Sequence, residues 1–306
     1  MRISSVTMYE QSVNSMNRQQ SEFMKVGQQI ASGRRVVNPS DDPQAASRAV
    51  GVAQAKAVTQ QFTDARVTAR NTLAQSESVL NSVSDAIASA KTLMIQAASD
   101  TLSDADRQSV AAELRGVYET VIGQANATDG NGRYLFGGFK DEAPPFQKSP
   151  ISGAIEYHGD DNVRKQRIDA ERLMAVTDHG ESLFRHGPGG EATDLFGTFE
   201  NALRVLETPG AADFRDTVNA SLNELDDSLD NVLTQRASVG ARLNELDVVD
   251  AVAGNRMLNY EQTLSDLVDL DYAEAISEYS LRQVGLQASQ QTFAQIKGLS
   301  LFDYLR

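Results

Sequence analysis

Cysteine and tryptophan are absent from the 306 residues, and histidine occurs only three times. The absence of cysteine excludes disulfide scaffolds, iron–sulfur clusters, thiolate zinc sites and cysteine nucleophiles. Basic residues are outnumbered, 28 Lys and Arg against 42 Asp and Glu, and the formal charge of −14 argues against a general nucleic-acid binder. An apolar signal-peptide core near the N-terminus and a run of about 18 apolar residues are both missing. We therefore expect a soluble, acidic protein.

The few breaker residues are concentrated in one stretch. Residues 130–210 hold five of the seven prolines, 12 of the 21 glycines and all three histidines. Residues 1–38, 44–143 and 210–306 contain no proline. Because proline disrupts helix interiors and glycine weakens them, this partition predicts helical arms on either side of a non-helical middle.

Apolar residues in the arms recur at helical and heptad spacing. The stripes are narrow, which is typical of coiled-coil seams rather than of globular helices. One helix over 44–99 would be about 85 Å long. The main repeats are Val6, Tyr9, Val13, Met16, Phe23 and Ile30 near the N-terminus, Leu73, Leu80, Ile87 and Met94 in the first arm, Leu225, Leu229, Val232, Val239, Leu243 and Leu246, interrupted by Arg236, in the second, and Tyr279, Leu286 and Phe293 near the C-terminus.

The middle of the chain favours short strands, at 155–157, 163–168 and 173–176, with Gly159–Asn162 joining the first two. The predicted fold class is mainly α: an elongated rod of long antiparallel helices with terminal coiled-coil segments and a small β-rich domain inserted at the tip, both termini lying at the same end. The predicted domains are a terminal helical assembly domain (1–42 and 265–306), a helical rod domain (43–140 and 196–264) and the inserted outer domain (141–195).

Catalytic and metal motifs are weak throughout. The stretch Asp129–Arg133 resembles the start of a calcium loop, but its glycine is misplaced and Lys140 stands where a glutamate belongs, so we interpret it as a turn. The histidines (His158, His179 and His186) lack metal-ligand spacing, and Gly187–Gly190 is interpreted as a flexible connection. We expect no enzyme, no cofactor and no metal. Ser103 is expected to be the N-cap of a helix.

Both ends of the chain carry apolar stripes that need a partner. Short isolated helices are marginal in water, and exposed aromatic residues such as Phe23, Phe293 and Phe302, together with Leu305, would be a liability. We therefore expect the stripes at 6–30 and 276–302 to become ordered on assembly. Residues 1–40 carry five bases and two acids, and residues 213–278 carry 15 acids and four bases; we interpret the acids as a solvated helix face.

The two ends also resemble a known family. The segment QQIASGRRVVNPSDDPQAASRA at 28–49 resembles the N-terminal signature of the bacterial flagellin family, in which a helix ends at Ser-Gly and an Asp-Asp pair precedes the next long helix. The segment at 271–305 is similar to the matching C-terminal signature. Two signatures in the right order at opposite ends identify the chain as a member of this family.

Three stretches resemble the hook–filament junction members of the family more than flagellin, its filament subunit: Gly132–Gly138 followed by Pro145-Phe146, the Asp-Asp-Pro at 41–43, and the ending 301–305. The resemblance implies a structural adaptor that forms a ring of subunits between the hook, through the first hook-associated protein, and the flagellin filament. It also implies export through the flagellar type III channel without a cleaved signal peptide, an export chaperone as an earlier partner, and an extracellular position. Nucleic acid and membrane insertion are not implied.

The expected site is an assembly interface rather than a pocket. Its predicted intersubunit positions are Val13, Phe23, Ile30, Ile276, Tyr279, Leu286 and Phe293. The segment Asn38, Pro39, Asp41, Asp42 and Pro43 is predicted to be a hinge, in which either aspartate can cap the following helix. Two alternatives stay open: a short flagellin that forms the filament itself, and a cytosolic coiled-coil binding module.

Overall fold

Helices make up most of the chain. The computed structural model describes residues 2–99, 101–185 and 194–302 and, among these, the side chains of all but residues 2–6, 8 and 296–302. This confirms the mainly α fold class. The described helices are α1 (Arg2–Ser32), α2 (Pro43–Ala97), α3 (Asp104–Ala125), α4 (Gly180–Phe184), α5 (Leu195–Glu207), α6 (Phe214–Val268) and α7 (Tyr272–Phe302).

Local capping explains where several helices begin and end. Ser103 caps α3 as expected: its hydroxyl accepts the Asp106 N–H at 3.2 Å, and the Asp106 carboxylate accepts the Ser103 N–H at 3.1 Å. This reciprocal pair satisfies two donors that the first helical turn leaves free. Gly33 follows α1 with φ +70°, a conformation that costs glycine little and ends the helix.

Four short strands lie between α3 and α4: β1 (Phe146–Lys148), β2 (Ile155–Tyr157), β3 (Lys165–Asp169) and β4 (Arg172–Ala175). They form two separate antiparallel hairpins, β1 with β2 and β3 with β4. Gly159–Asn162 connects β2 to β3 as predicted, but these two strands are not paired with each other, since β2 pairs with β1 and β3 with β4. Sequence patterning missed β1 because three residues next to Pro145 are too few to show alternation.

The chain forms two compact units, one of residues 1–58 and 254–306 (the terminal unit) and one of residues 59–253 (the central unit). Helices α2 and α6 contribute to both. The three-domain division at 42, 140, 195 and 265 stays a prediction.

The core of the central unit follows the predicted heptads. Leu73, Leu80, Ile87 and Met94 on α2 are fully buried, as are Leu225, Val232, Val239 and Leu246 on α6. An aromatic cluster continues this core toward the hairpins: the ring of Phe146 lies 5.2 Å from that of Phe184 and 5.0 Å from that of Phe196. All of these side chains belong to one apolar cluster.

Candidate assembly site

Helices α1 and α7 pack against each other within the terminal unit. Aromatic pairs mark this contact. The ring centroids of Phe23 and Tyr279 are 4.6 Å apart, and those of Tyr9 and Phe293 are 5.4 Å apart. The two pairs are fourteen residues apart on each helix and run in opposite directions, so α1 and α7 form an antiparallel pair in heptad register. The residues at heptad spacing on the two helices are thus the ones through which α1 and α7 contact each other.

Glycines allow close approach at two points of this pair. A Cβ at Gly27 would lie 3.7 Å from the Tyr279 ring, and one at Gly285 would lie 3.3 Å from the Gln19 amide oxygen. The distance at Gly27 is an ordinary contact, but a larger side chain at Gly285 would push on α1, so we expect the helix pair to depend on a small residue at Gly285 as well as on the aromatic rings.

The predicted assembly residues divide into two groups. Six of them are half-buried, and the structure brings Phe23 and Tyr279 together. Ile276 is different, with 55% of its surface exposed. The partner of Phe293 is Tyr9, which the predicted set omitted although its seven-residue spacing to Met16 and Phe23 is visible in the sequence. The half-buried six are Val13, Phe23, Ile30, Tyr279, Leu286 and Phe293.

Helix α7 carries a second apolar group on its outer side. Leu281 is 70% exposed and Val284 is 63% exposed. At 100° per residue, Leu281 lies about 160° around the helix from Tyr279, and Val284 lies about as far from Leu286. Sequence reasoning did not single out these two residues, because the stripe that faces α1 was the stronger pattern. The side chains of Phe302 and Leu305 lie outside the described residues.

A clamp of backbone hydrogen bonds ties the end of α1 to the α6–α7 connection; we define it as residues 33–42 and 267–271. The Arg35 N–H donates to the Val268 carbonyl at 2.8 Å, and the Leu270 N–H donates to the Gly33 carbonyl at 3.1 Å. The Arg35 guanidinium reaches the Leu267 carbonyl at 2.6 Å. A carbonyl at the end of α6, which has no partner in its own helix, is therefore satisfied by the clamp.

Asp41 and Asp42 hold the predicted hinge segment in place by different bonds. One oxygen of Asp41 accepts the N–H of Asn38 at 2.8 Å, and the other lies 3.2 Å from Lys25 Nζ. Asp42 caps α2 by accepting the Ala45 N–H at 3.0 Å and pairs with Arg35. This confirms that one of the two aspartates caps the following helix. Movement of the segment as a hinge, with Pro39 and Pro43, stays a prediction.

These contacts lower the pKa of both carboxyl groups. The Asn38 N–H, assisted by Lys25, holds the pKa of Asp41 below its usual 3.8. The hydrogen bond from the Ala45 N–H lowers the pKa of Asp42, with a smaller contribution from Arg35. Both groups are thus charged at neutral pH, and their hydrogen bonds favour the charged form.

The weaker candidates have structural roles. The Asp129 carboxylate accepts the N–H groups of Asn131 and Arg133 at 2.8 and 3.0 Å, which is the predicted turn. His158 is exposed near Glu156, and His179 caps α4. His186 and Gly187–Gly190 lie outside the described residues. Over the described ranges, no cluster of three or more potential ligands could hold a metal ion. Within the same part of the chain, no helix is long and apolar enough to cross a membrane.

The Gly132–Gly138 stretch is packed against the loop after β2. A Cβ at Gly138 would overlap the Asp160 side chain, and Asp160 Oδ1 accepts the Phe139 N–H at 3.0 Å. The neighbouring side chains Leu135 and Phe136 are buried. This stretch therefore builds the central unit. Close approach requires Gly137 and Gly138, whereas Gly132 has no atom within 4 Å and is favoured by its φ of +80°.

Long helices at both ends, an antiparallel terminal pair with heptad aromatics and a small β-rich middle define a flagellin-type assembly protein. Comparison with known families agrees. Residues 3–141 match the bacterial flagellin N-terminal helical region, and residues 222–305 match the C-terminal helical region.

The relatives that match over their full length identify the family more narrowly. The chain is 42% identical to flagellar hook-associated protein 3 of Escherichia coli K12, over 99% of both chains, and 39% identical to that of Salmonella typhimurium LT2, over 100% of both. A solved Vibrio parahaemolyticus structure, described as a flagellar hook-associated protein, matches with a TM-score of 0.70 and 27% identity over 75% of this chain and all of that one. The chain belongs to the flagellar hook-associated protein 3 family, within the flagellins. This is a family of structural flagellar proteins, not of enzymes.

Proposed function

We propose that the chain is the junction subunit between hook and filament, a ring-forming adaptor with the first hook-associated protein on one side and flagellin on the other. The observation that carries the proposal is the identity to hook-associated protein 3 over the whole chain, which includes the central unit and not only the helical ends common to all flagellins. We also propose export through the flagellar channel without a cleaved signal peptide, with a chaperone bound beforehand.

The two apolar groups of the terminal unit have separate tasks in this proposal. The aromatic pairs, Phe23 with Tyr279 and the exposed Tyr9 with Phe293, hold α1 and α7 together. The exposed Leu281 and Val284 on α7 contact a neighbouring subunit. Exposed apolar side chains of this size, held on a preformed helix pair, favour a protein–protein contact because their burial releases water.

Deletion of the gene in its host, followed by electron microscopy and a blot for flagellin in the medium, tests the junction role. Bare hooks and released flagellin are expected. Full-length filaments on the deletion strain would contradict the proposal and favour the alternative of a minor flagellin.

Point variants returned to that strain test the interface. We expect Phe293→Asp to block filament growth while the central unit stays folded, because a charge replaces the ring that packs on Tyr9. Val284→Asp should block growth with α1 and α7 still paired, and Val284→Ala is its matched control. Normal filaments from both aspartate variants would exclude this helix pair as the interface.

A further inference from the structure

The apolar contact between α2 and α6 repeats itself every seven residues. Leu73, Leu80, Ile87 and Met94 face a row on α6 with the same spacing, namely Leu225, Val232, Val239 and Leu246. Sliding one helix along the other by seven residues, about 10 Å, would again place apolar side chains against apolar side chains. These contacts alone therefore do not select one register.

A charged residue occupies the next position of the α2 repeat. Arg66 lies seven residues before Leu73 and is only 1% exposed. Its guanidinium donates to the Ile168 carbonyl at 2.8 Å, to the Thr63 hydroxyl at 2.9 Å, and to the Asp250 carboxylate. Thr63 lies on α2 itself, but Ile168 is on β3 and Asp250 is on α6, so the bonds to these two acceptors form together at one position of α2 relative to both elements.

Asp250 lies on the neighbouring heptad row of α6, which contains Leu229, Arg236 and Leu243 and runs beside the row of Leu225 to Leu246. It follows Leu243 by seven residues and Arg236 by fourteen. Arg236 is paired with Glu77, at 2.9 Å. A slip that moves Arg66 toward the start of α6 would set it against Leu243 after seven residues and against Arg236 after fourteen. The seven-residue slip leaves the buried Arg66 charge without a partner, and the fourteen-residue slip places Arg66 against a second arginine. Both arrangements cost free energy.

We propose that Arg66 and Asp250 specify the register of α2 against α6. A polar pair in an apolar helix seam selects one alignment by penalising the others, at some cost in stability. The inference goes beyond the proposed function and does not depend on it. Its consequence for assembly is direct, since identical subunits pack symmetrically only if each has the same shape.

Distances between spin labels test this proposal in the full chain, which has no cysteine of its own. Labels at Asn81 and Asn219 are exposed and offset along the helices, so a seven-residue slip changes their separation by roughly 10 Å. We expect one distance in the parent protein and a second population in Arg66→Leu. Arg70→Met is the matched control, because Arg70 also pairs with Asp250 but is more exposed, and it should keep one distance.

The double variant Arg66→Leu/Asp250→Leu removes both charges and leaves no buried charge unpaired. It therefore distinguishes an effect on helix register from a loss of folding caused by an unpaired charge. It should fold cooperatively and show both distances. A single, parental distance in this variant would overturn the proposal. Failure of both leucine variants to fold would also overturn it, because the pair would then determine stability and not register.

Discussion

The terminal and central units bury apolar side chains in very different ways. Among the described side chains of residues 1–58 and 254–306, the buried apolar ones are Val26, Val36, Ala45 and Ala275. The central unit buries whole rows of leucine, isoleucine, valine and phenylalanine. Both units are mostly helical, so helix content does not separate them.

This difference in burial affects both the stability of each unit and the amount of apolar surface that the unit leaves free for another subunit. Full burial of a leucine or phenylalanine contributes about 1.5–3 kcal/mol, and the central unit has many such residues. The terminal unit relies on half-buried aromatic pairs, helix caps and the clamp, and it keeps large apolar side chains such as Leu281 and Val284 exposed. A unit built in this way has little stability of its own and has surface left for another subunit.

The largest expected effect is in the central core. Leu80→Ala should lower the free energy of unfolding by about 2–5 kcal/mol, because it leaves a cavity at a fully buried position. Leu281→Ala, the same change at an exposed position of α7, should stay within about 0.5 kcal/mol. Urea unfolding of the full chain measures both. Equal effects would contradict the comparison between the two units.

The next effect concerns the end of α1. Gly33→Ala forces a side chain into a left-handed conformation, which costs about 1–2 kcal/mol, and places its Cβ 2.9 Å from the Tyr272 hydroxyl. Hydrogen exchange should become faster in α1 and α7 and stay unchanged in the central unit. Gly51→Ala on α2 is the control, since nothing lies within 4 Å and its backbone is helical. Unchanged exchange at Gly33→Ala would mean that the clamp does not stabilise the helix pair.

A smaller effect is expected at the aromatic pairs. Phe23→Leu keeps an apolar side chain but loses the ring contact with Tyr279. Such pairs contribute about 0.5–1.5 kcal/mol beyond their buried area, so exchange in α1 should accelerate roughly two- to twelve-fold. Phe139→Leu, at an exposed position of the central unit, is a control. If hydrogen exchange in α1 were unchanged in Phe23→Leu, the stability of this helix would come from the clamp alone.

The smallest effect is a pH dependence of the clamp. The folded-state pKa values of Asp41 and Asp42 lie below 3.8, so their contribution is fully present above that pH and is lost as the pH falls through the lowered values. Exchange at residues 33–45, corrected for intrinsic rates, should rise as the pH falls below 3.8. The rise should be much weaker in Asp41→Asn/Asp42→Asn. A rise of the same size in that variant would mean that other carboxyl groups cause the pH dependence of exchange.

Local signals predicted much of this fold. The position of α2 followed from the absence of proline between residues 44 and 143, the end of α1 from the Ser32-Gly33 of the family signature, and the start of α3 from Ser103. The buried heptads of α2 and α6 were visible as well. These features depend on residues within one or two helical turns, so neighbouring side chains carry enough information.

Contacts between distant segments were decided only by the tertiary structure. The Arg35 bonds to residues 267 and 268 and the contact of Phe293 with Tyr9 each join residues more than 200 positions apart. Arg236 and Asp250 interrupt an apolar row, but their partners Glu77 and Arg66 lie on another helix, more than 150 residues away. The sequence by itself thus determined which residues form helices and which faces are apolar, because backbone and side-chain periodicity is local. The tertiary structure decided which faces meet and in which register, because repeated apolar side chains fit one another at several alignments; we propose that the charged pairs distinguish among them.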